Sequence, residues 1–152
     1  MKPEETVDFH IRWTWAKISR WYNVEAAKRG GTMSIGYVLL NIDKEGTPST
    51  RLGPKMGMES RSLSRSLKMM EERGLITRQS DENDGRVVRV FLTEEGTRMR
   101  EISKEAVIRF NNAIRSEIPA GKLQTTFDTL QKISSIIDQN KIFESIEHEE
   151  KH

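Results

Sequence analysis

Arg61, Arg65 and Lys68 recur at i, i+4 and i+7, with Ser60, Ser62 and Ser64 between and beside them. On a helix that spacing gathers the three cations into one stripe. Leu63, Leu67 and Met70 repeat the same spacing two positions later, about 200° around the axis. The segment from Glu59 to Arg73 therefore predicts an amphipathic helix, apolar on one side and carrying guanidinium, ammonium and hydroxyl donors on the other. Those donors suit a phosphate-bearing partner. A guanidinium can bind guanine O6 and N7 with two N–H groups, and a short serine can bond a phosphate oxygen without holding the helix off the groove. Taken alone, the stripe is equally the solvated face of an ordinary surface helix. Its neighbours decide between the two.

Upstream, Thr32 caps a helix with the stripe Ile35, Val38, Leu39 and Ile42, closed by Glu45-Gly46. Thr47-Pro48 then reads as a cap-plus-proline start for a short helix that Pro54 makes brief or kinked. Gly57 separates it from the basic helix, which Gly74 ends. Downstream the apolar period changes from helical to two. Residues 75–78 and 87–92 read as strands, joined through 81–86 with Asp84-Gly85 as the turn signal. Helix, short helix, basic helix and hairpin form a helix-turn-helix with a wing, and in that order the basic face is one a DNA major groove accepts. Arg86 at the hairpin tip is placed for an adjacent minor groove. The alternative for Arg86 is an ion pair with Asp81 or Asp84 that stiffens the hairpin.

Long helices flank this unit. Between Val7 and Lys28, Ile11, Trp15, Ile18, Tyr22 and Ala26 share one face, while Trp13, Trp21 and Val24 fall on another. A helix apolar on two sides needs two covers, and the second suggests another subunit. Thr93-Glu94-Glu95-Gly96 opens a helix with Met99, Ile102, Ala106, Phe110 and Ala113 in its stripe. Pro119 stops it, and a last helix carries Leu123, Phe127, Leu130, Ile133 and Ile137. The end, 144–152, is charged and expected to fray.

Composition narrows the function. The 152 residues contain no cysteine, and the three histidines at 10, 148 and 152 are scattered, so thiol chemistry, a metal centre and any other cofactor are not expected. No glycine-rich phosphate loop or paired-carboxylate motif stands out, and an enzyme is not expected. The start carries acids rather than an apolar stretch and no apolar run is long, so neither a secretory signal nor a membrane span is expected, and the location expected is cytoplasmic. Residues 47–91 hold nine basic and six acidic residues, net +3, against sixteen and seventeen in the remainder, net −1. This mild basic island permits an anionic partner without proving one. An adaptor that docks proteins would keep the same fold and have no need of the basic, serine-rich face.

Met56-Gly57-Met58-Glu59-Ser60-Arg61-Ser62-Leu63-Ser64-Arg65, then Leu67, Met70-Glu71-Glu72-Arg73-Gly74-Leu75-Ile76, Asp81-x-x-Asp84-x-Arg86 and Val90-x-Leu92-Thr93-x-x-Gly96 together resemble the MarR (multiple antibiotic resistance regulator) family of transcriptional regulators. The ordered spacing is more specific than any one piece. Asn83 stands where the family often has its first wing arginine, which leaves the minor-groove contact mainly to Arg86. Glu59 stands where a Ser or Thr cap is usual, and Gly53-Pro54 interrupts the first helix of the pair.

The resemblance implies a mainly α fold with a small β-hairpin wing, in which a winged helix-turn-helix lobe joins a helical dimerisation lobe. Its expected domains are a dimerisation helix at 1–31, the DNA-binding lobe at 32–92, dimerisation helices at 93–146 and a charged tail at 147–152. It implies a homodimer on a pseudo-palindromic duplex, with half-sites about 34–36 Å apart. It also implies a repressor released by a small lipophilic or aromatic effector. The expected DNA-binding residues are Ser49, Thr50, Ser60, Arg61, Ser62, Ser64, Arg65, Lys68 and Arg86. Trp15, Tyr22 and Phe110 are the candidates for the effector.

Overall fold

The computed structural model describes residues 1–139, so the expected charged tail lies outside the described residues. After a 3-10 turn at Pro3–Glu5, the elements run α1 (Val7–Ala27), α2 (Met33–Leu40), β1 (Thr47–Pro48), α3 (Ser49–Met56), α4 (Ser60–Glu72), β2 (Ile76–Ser80), β3 (Val88–Leu92), α5 (Glu94–Glu117) and α6 (Ala120–Asp138). The chain divides into two compact units, Met1–Ile108 and the residues from Arg109 onward.

In the first unit, α2 contributes Ile35, Val38 and Leu39, α3 Leu52 and Met56, and α4 Leu63, Leu67 and Met70. With Ile42, Leu75, Ile76 and Val90 they form one buried core, against which Met58, Met69, Leu92 and Met99 pack. Burying each of the three α4 side chains contributes about 2 kcal/mol. The expected apolar stripes of α2 and α4 are thus the core. Thr32 caps α2 as expected, accepting from the Ile35 N–H at 3.3 Å. The helix stops at Leu40 rather than at Glu45-Gly46, and 41–46 form the turn that follows.

Thr47-Pro48 is a correction. These residues do not start a helix but form an edge strand, Thr47 opposite Val90 and Pro48 opposite Arg89, so the wing is a three-stranded antiparallel sheet in the order β1-β3-β2. The edge suits Pro48, which has no N–H to donate. The Thr47 hydroxyl is used by the preceding turn, where it accepts from the Asp43 N–H at 2.8 Å. Helix α3 then begins at Ser49 and runs through Pro54 to Met56, and Gly57, at φ 63°, ends it in the left-handed conformation.

The exit of α4 and the start of α5 are locked together. The Thr93 hydroxyl donates to the Gly74 carbonyl at 2.6 Å and accepts from the Gly96 N–H at 3.0 Å, while the Thr93 N–H donates to the Leu75 carbonyl at 3.1 Å. A β-carbon on Gly96 would overlap the Leu75 carbonyl, which is the physical reason for Leu-Thr-x-x-Gly at this place.

Helix α1 has no buried residue. Val7, Ile11, Trp13, Trp15 and Val24 are all exposed, whereas Ile18, Trp21, Tyr22 and Ala26 are half-buried. Ile11 and Trp15 are therefore uncovered although they share a face with Ile18 and Tyr22. In the second unit Leu123 is buried, and Phe127, Leu130 and Ile137 are exposed. No described helix is long and apolar enough to cross a membrane.

Gly96→Ala forces the α5 start off the α4 exit, and we expect a loss of about 2–3 kcal/mol. Urea unfolding at matched protein concentration measures it, and an unchanged midpoint contradicts the lock.

Candidate nucleic-acid interface

Helix α4 is oriented by its core stripe. With Leu63, Leu67 and Met70 buried, Arg61, Ser62, Ser64, Arg65 and Lys68 are exposed, and Ser60 begins the helix on the same exposed side. Glu59 holds the N-cap position in extended backbone without a side-chain cap bond. The first-turn N–H groups of α4 are therefore left without that partner. On α3, Thr50 and Arg51 are exposed and Ser49 is half-buried at the helix start.

The nine basic residues of the island sort into two groups. Four are engaged within the fold. Lys55 donates to the Asn41 carbonyl at 3.2 Å, where α2 ends, and lies 4.0 Å from Asp43. Arg73 donates to the Gly30 carbonyl. Arg78 holds Glu71 with two hydrogen bonds, at 3.2 and 3.0 Å, tying β2 to the last turn of α4. Arg89 holds Asp81 at 3.0 Å and the Gly46 carbonyl at 3.0 Å. The other five, Arg51, Arg61, Arg65, Lys68 and Arg86, are exposed, and none makes an ion pair or side-chain hydrogen bond with a described residue.

The wing tip is built around Asp81. One carboxylate oxygen accepts from the N–H groups of Asn83 at 2.8 Å and Asp84 at 3.3 Å, and the other takes Arg89. The backbone N–H of Asn83 and the Arg89 guanidinium hold this carboxyl below its ordinary value of 3.8. Asp84 in turn accepts from the Arg86 backbone N–H at 3.1 Å. The stiffening ion pair considered for Arg86 exists, but its cation is Arg89. The Arg86 side chain is left for solvent at the tip. Arg89 was missed in the sequence, although its place eight residues after Asp81 across a hairpin turn is the available signal. Glu71 is held below the usual carboxylate range chiefly by its hydrogen bond from Arg78.

Of the aromatic candidates, Trp15 is 56% exposed. Tyr22 is half-buried, stacks edge-on with Trp21 at 5.1 Å, and has its hydroxyl pKa raised by burial. Phe110 is half-buried in the second unit.

Two measurements check this geometry. Because the Asp81 pKa is depressed in the folded wing, its stabilisation is complete above the unfolded value and is lost as pH falls through the lower, folded one. We expect the Asn83 and Asp84 amides to lose protection from hydrogen exchange only below about pH 4 in the wild type, and already at neutral pH in Asp81→Ala. Equal protection in the two proteins at pH 7 contradicts the assignment. At the other end of the site, Glu59→Ser supplies the missing cap, and we expect it to stabilise the fold by about 0.5–1 kcal/mol in urea unfolding.

Residues 37–88 match the MarR family model. Over 64 residues the chain is 38% identical to the organic hydroperoxide resistance transcriptional regulator of Bacillus subtilis, covering 42% of this chain and 44% of that protein. The chain spans about half the length of the curated relatives it matches. Among solved structures, S. aureus MepR in complex with DNA is similar at TM-score 0.79 and 17% identity, over 86% of this chain and 97% of that one. The PcaV transcriptional regulator from Streptomyces coelicolor, in complex with its natural ligand, is similar at TM-score 0.77 and 20% identity, over 89% and 96%. The match to the MarR family model thus falls on the winged helix-turn-helix of this chain, from within α2 to the start of β3.

Proposed function

We propose that the protein is a dimeric, sequence-specific DNA-binding transcriptional regulator of the cytoplasm, a repressor released by a small lipophilic or aromatic ligand. The observation that carries the DNA reading is the sorting of the island's cations. Every basic residue that braces the fold is engaged, and the five left over lie on α3, on the outer face of α4 and at the wing tip. A protein-docking adaptor has no use for five unpaired cations so distributed. The assigned roles follow from position. Arg65, in mid-helix, reads a base edge. Arg61 and Lys68 at its flanks, with Ser60, Ser62 and Ser64, hold the adjoining backbone, and Ser49, Thr50 and Arg51 take phosphate at the start of α3. Arg86 enters the minor groove.

The homodimer is supported by the uncovered apolar side chains on α1 (Ile11, Trp13, Trp15) and on α6 (Phe127, Leu130, Ile137), which a second subunit would cover. The effector reading draws on the ligand-bound Streptomyces structure, with Trp15, Tyr22 and Phe110 as the aromatic candidates. Thermal-shift screening with small aromatic acids tests it.

For the DNA reading the experiment is selection of a duplex from random sequence, followed by titration at several salt concentrations. If Arg65 reads a base and the other four cations of each subunit displace counterions, three at phosphates and Arg86 in the minor groove, log K falls with log salt at a slope of about −7. Arg65→Ala costs about 1–3 kcal/mol on the selected site and relaxes preference at one position of each half-site. Arg86→Ala shallows the slope by roughly 2 per dimer. Selection that enriches no sequence, or an Arg65→Ala protein that binds as tightly as wild type, overturns these roles.

A further inference from the structure

Among the described residues, Arg73 is the one island cation whose side-chain hydrogen bond leaves the winged helix-turn-helix altogether. Its Nη1 donates at 3.2 Å to the carbonyl of Gly30, forty-three residues earlier, in the turn that ends α1. That turn is Gly30-Gly31. Gly30 sits at φ 72°, and the Gly30 and Gly31 N–H groups close the helix on the carbonyls of Ala27 and Ala26. Met99 of α5 rests on the turn, within 3.5 Å of where a Gly31 β-carbon would be. On the far side of the turn, the Asn23 side chain accepts from the Met33 N–H at 3.0 Å and so holds the start of α2 to α1.

The exit of α4 is thus attached in two directions. Toward α5 the attachment is short and made of backbone and a threonine hydroxyl: Thr93 on Gly74 and Leu75, with Gly96 pressed on the Leu75 carbonyl. Toward α1 it is one long side chain reaching across a pair of glycines, the residues with the most backbone freedom. The second attachment joins the exit of α4 to the glycine turn, beside the Asn23 bond that joins the start of α2 to α1.

We propose that Arg73 is a positioning residue, which sets the angle of α4 to α1 and thereby the half-site spacing that a dimer accepts. This rests on the DNA reading above. Arg73 touches no base in this proposal. It acts through α4, and its loss leaves the contacts within one half-site intact while loosening the separation between the two.

The test compares wild type, Arg73→Met and Arg73→Lys on the selected palindrome, on versions with two base pairs added or removed at the centre, and on a single half-site. Two base pairs rotate one half-site by about 70°, so a rigid dimer loses its avidity and binds the altered duplexes about a hundredfold more weakly. We expect Arg73→Met to bind the half-site like wild type but to discriminate spacing by less than about tenfold. Arg73→Lys, which still presents an N–H to Gly30, recovers most of the discrimination.

A second readout needs no DNA. The chain has no cysteine, so Arg20→Cys with Lys68→Cys carries two spin labels, one on α1 and one on α4, with labelled chain diluted into unlabelled. Their distance distribution broadens when Arg73→Met is added. A spacing profile or distance distribution identical to wild type overturns the proposal, as does half-site affinity that falls in parallel with the full site, which marks Arg73 as a direct contact. Wild type that binds no selected duplex defeats the DNA reading instead, and the label distances then still decide whether Arg73 holds α4.

Discussion

Burial of Leu63, Leu67 and Met70 settles which way α4 faces, and everything proposed for the outer surface depends on it. The three side chains are between 0% and 6% exposed, and their removal from water contributes several kcal/mol. Rotating the helix to hide Arg61 or Arg65 instead would expose that stripe and bury unpaired guanidinium groups, which costs more still. The basic face is therefore outward by consequence of the core.

What distinguishes this surface from an ordinary solvated one is where the counter-charges went. Glu71 and Asp81 lie in the same region as the free cations and could have neutralised them. Each is held instead by an arginine of the wing, Arg78 or Arg89. These pairs are partly solvent-exposed and so add little to stability. Their effect is geometric and electrostatic: they orient the sheet on the end of α4, and they draw two carboxylates away from the exposed cations.

Local signals made much of this readable in the sequence. The stripes of α2 and α4, the Thr32 cap, the Asp84-Gly85 turn and the Thr93 helix start depend on residues within a few positions of one another, where periodicity and turn chemistry act. The features that were not readable are those made by distant partners. A two-residue strand has no period, and Thr47-Pro48 becomes one only because Val90 and Arg89 lie opposite. Composition could not tell the engaged cations from the free ones, since Lys55 finds Asn41 fourteen residues away, and Arg73 and Arg89 find Gly30 and Gly46 forty-three away. The glycine at 96 was legible as part of a motif, but the reason for it, the Leu75 carbonyl, belongs to another element. The aromatic candidates were the least legible, because Trp15, Tyr22 and Phe110 differ in exposure in ways that helical spacing alone does not determine.

The long-range bonds share a pattern. Lys55 ends on the carbonyl of Asn41, Arg73 on Gly30, Arg89 on Gly46, and the Thr93 hydroxyl on Gly74. Asn41, Gly30 and Gly74 lie within three residues of a helix end, where carbonyls lack the intrahelical partner they would have had one turn earlier, whereas Gly46 lies just before β1. A helix end attracts a cation both because the carbonyls are unsatisfied and because the helix dipole leaves them negative. Lys55 and Arg73 therefore reach helix exits, while Arg78 and Arg89 reach carboxylates, and in each case the bond lies at a joint between elements. The cations that engage neither a helix exit nor a carboxylate among the described residues lie on the outer surface, so the joints are fastened and the exposed stripe is kept charged by different members of one basic set.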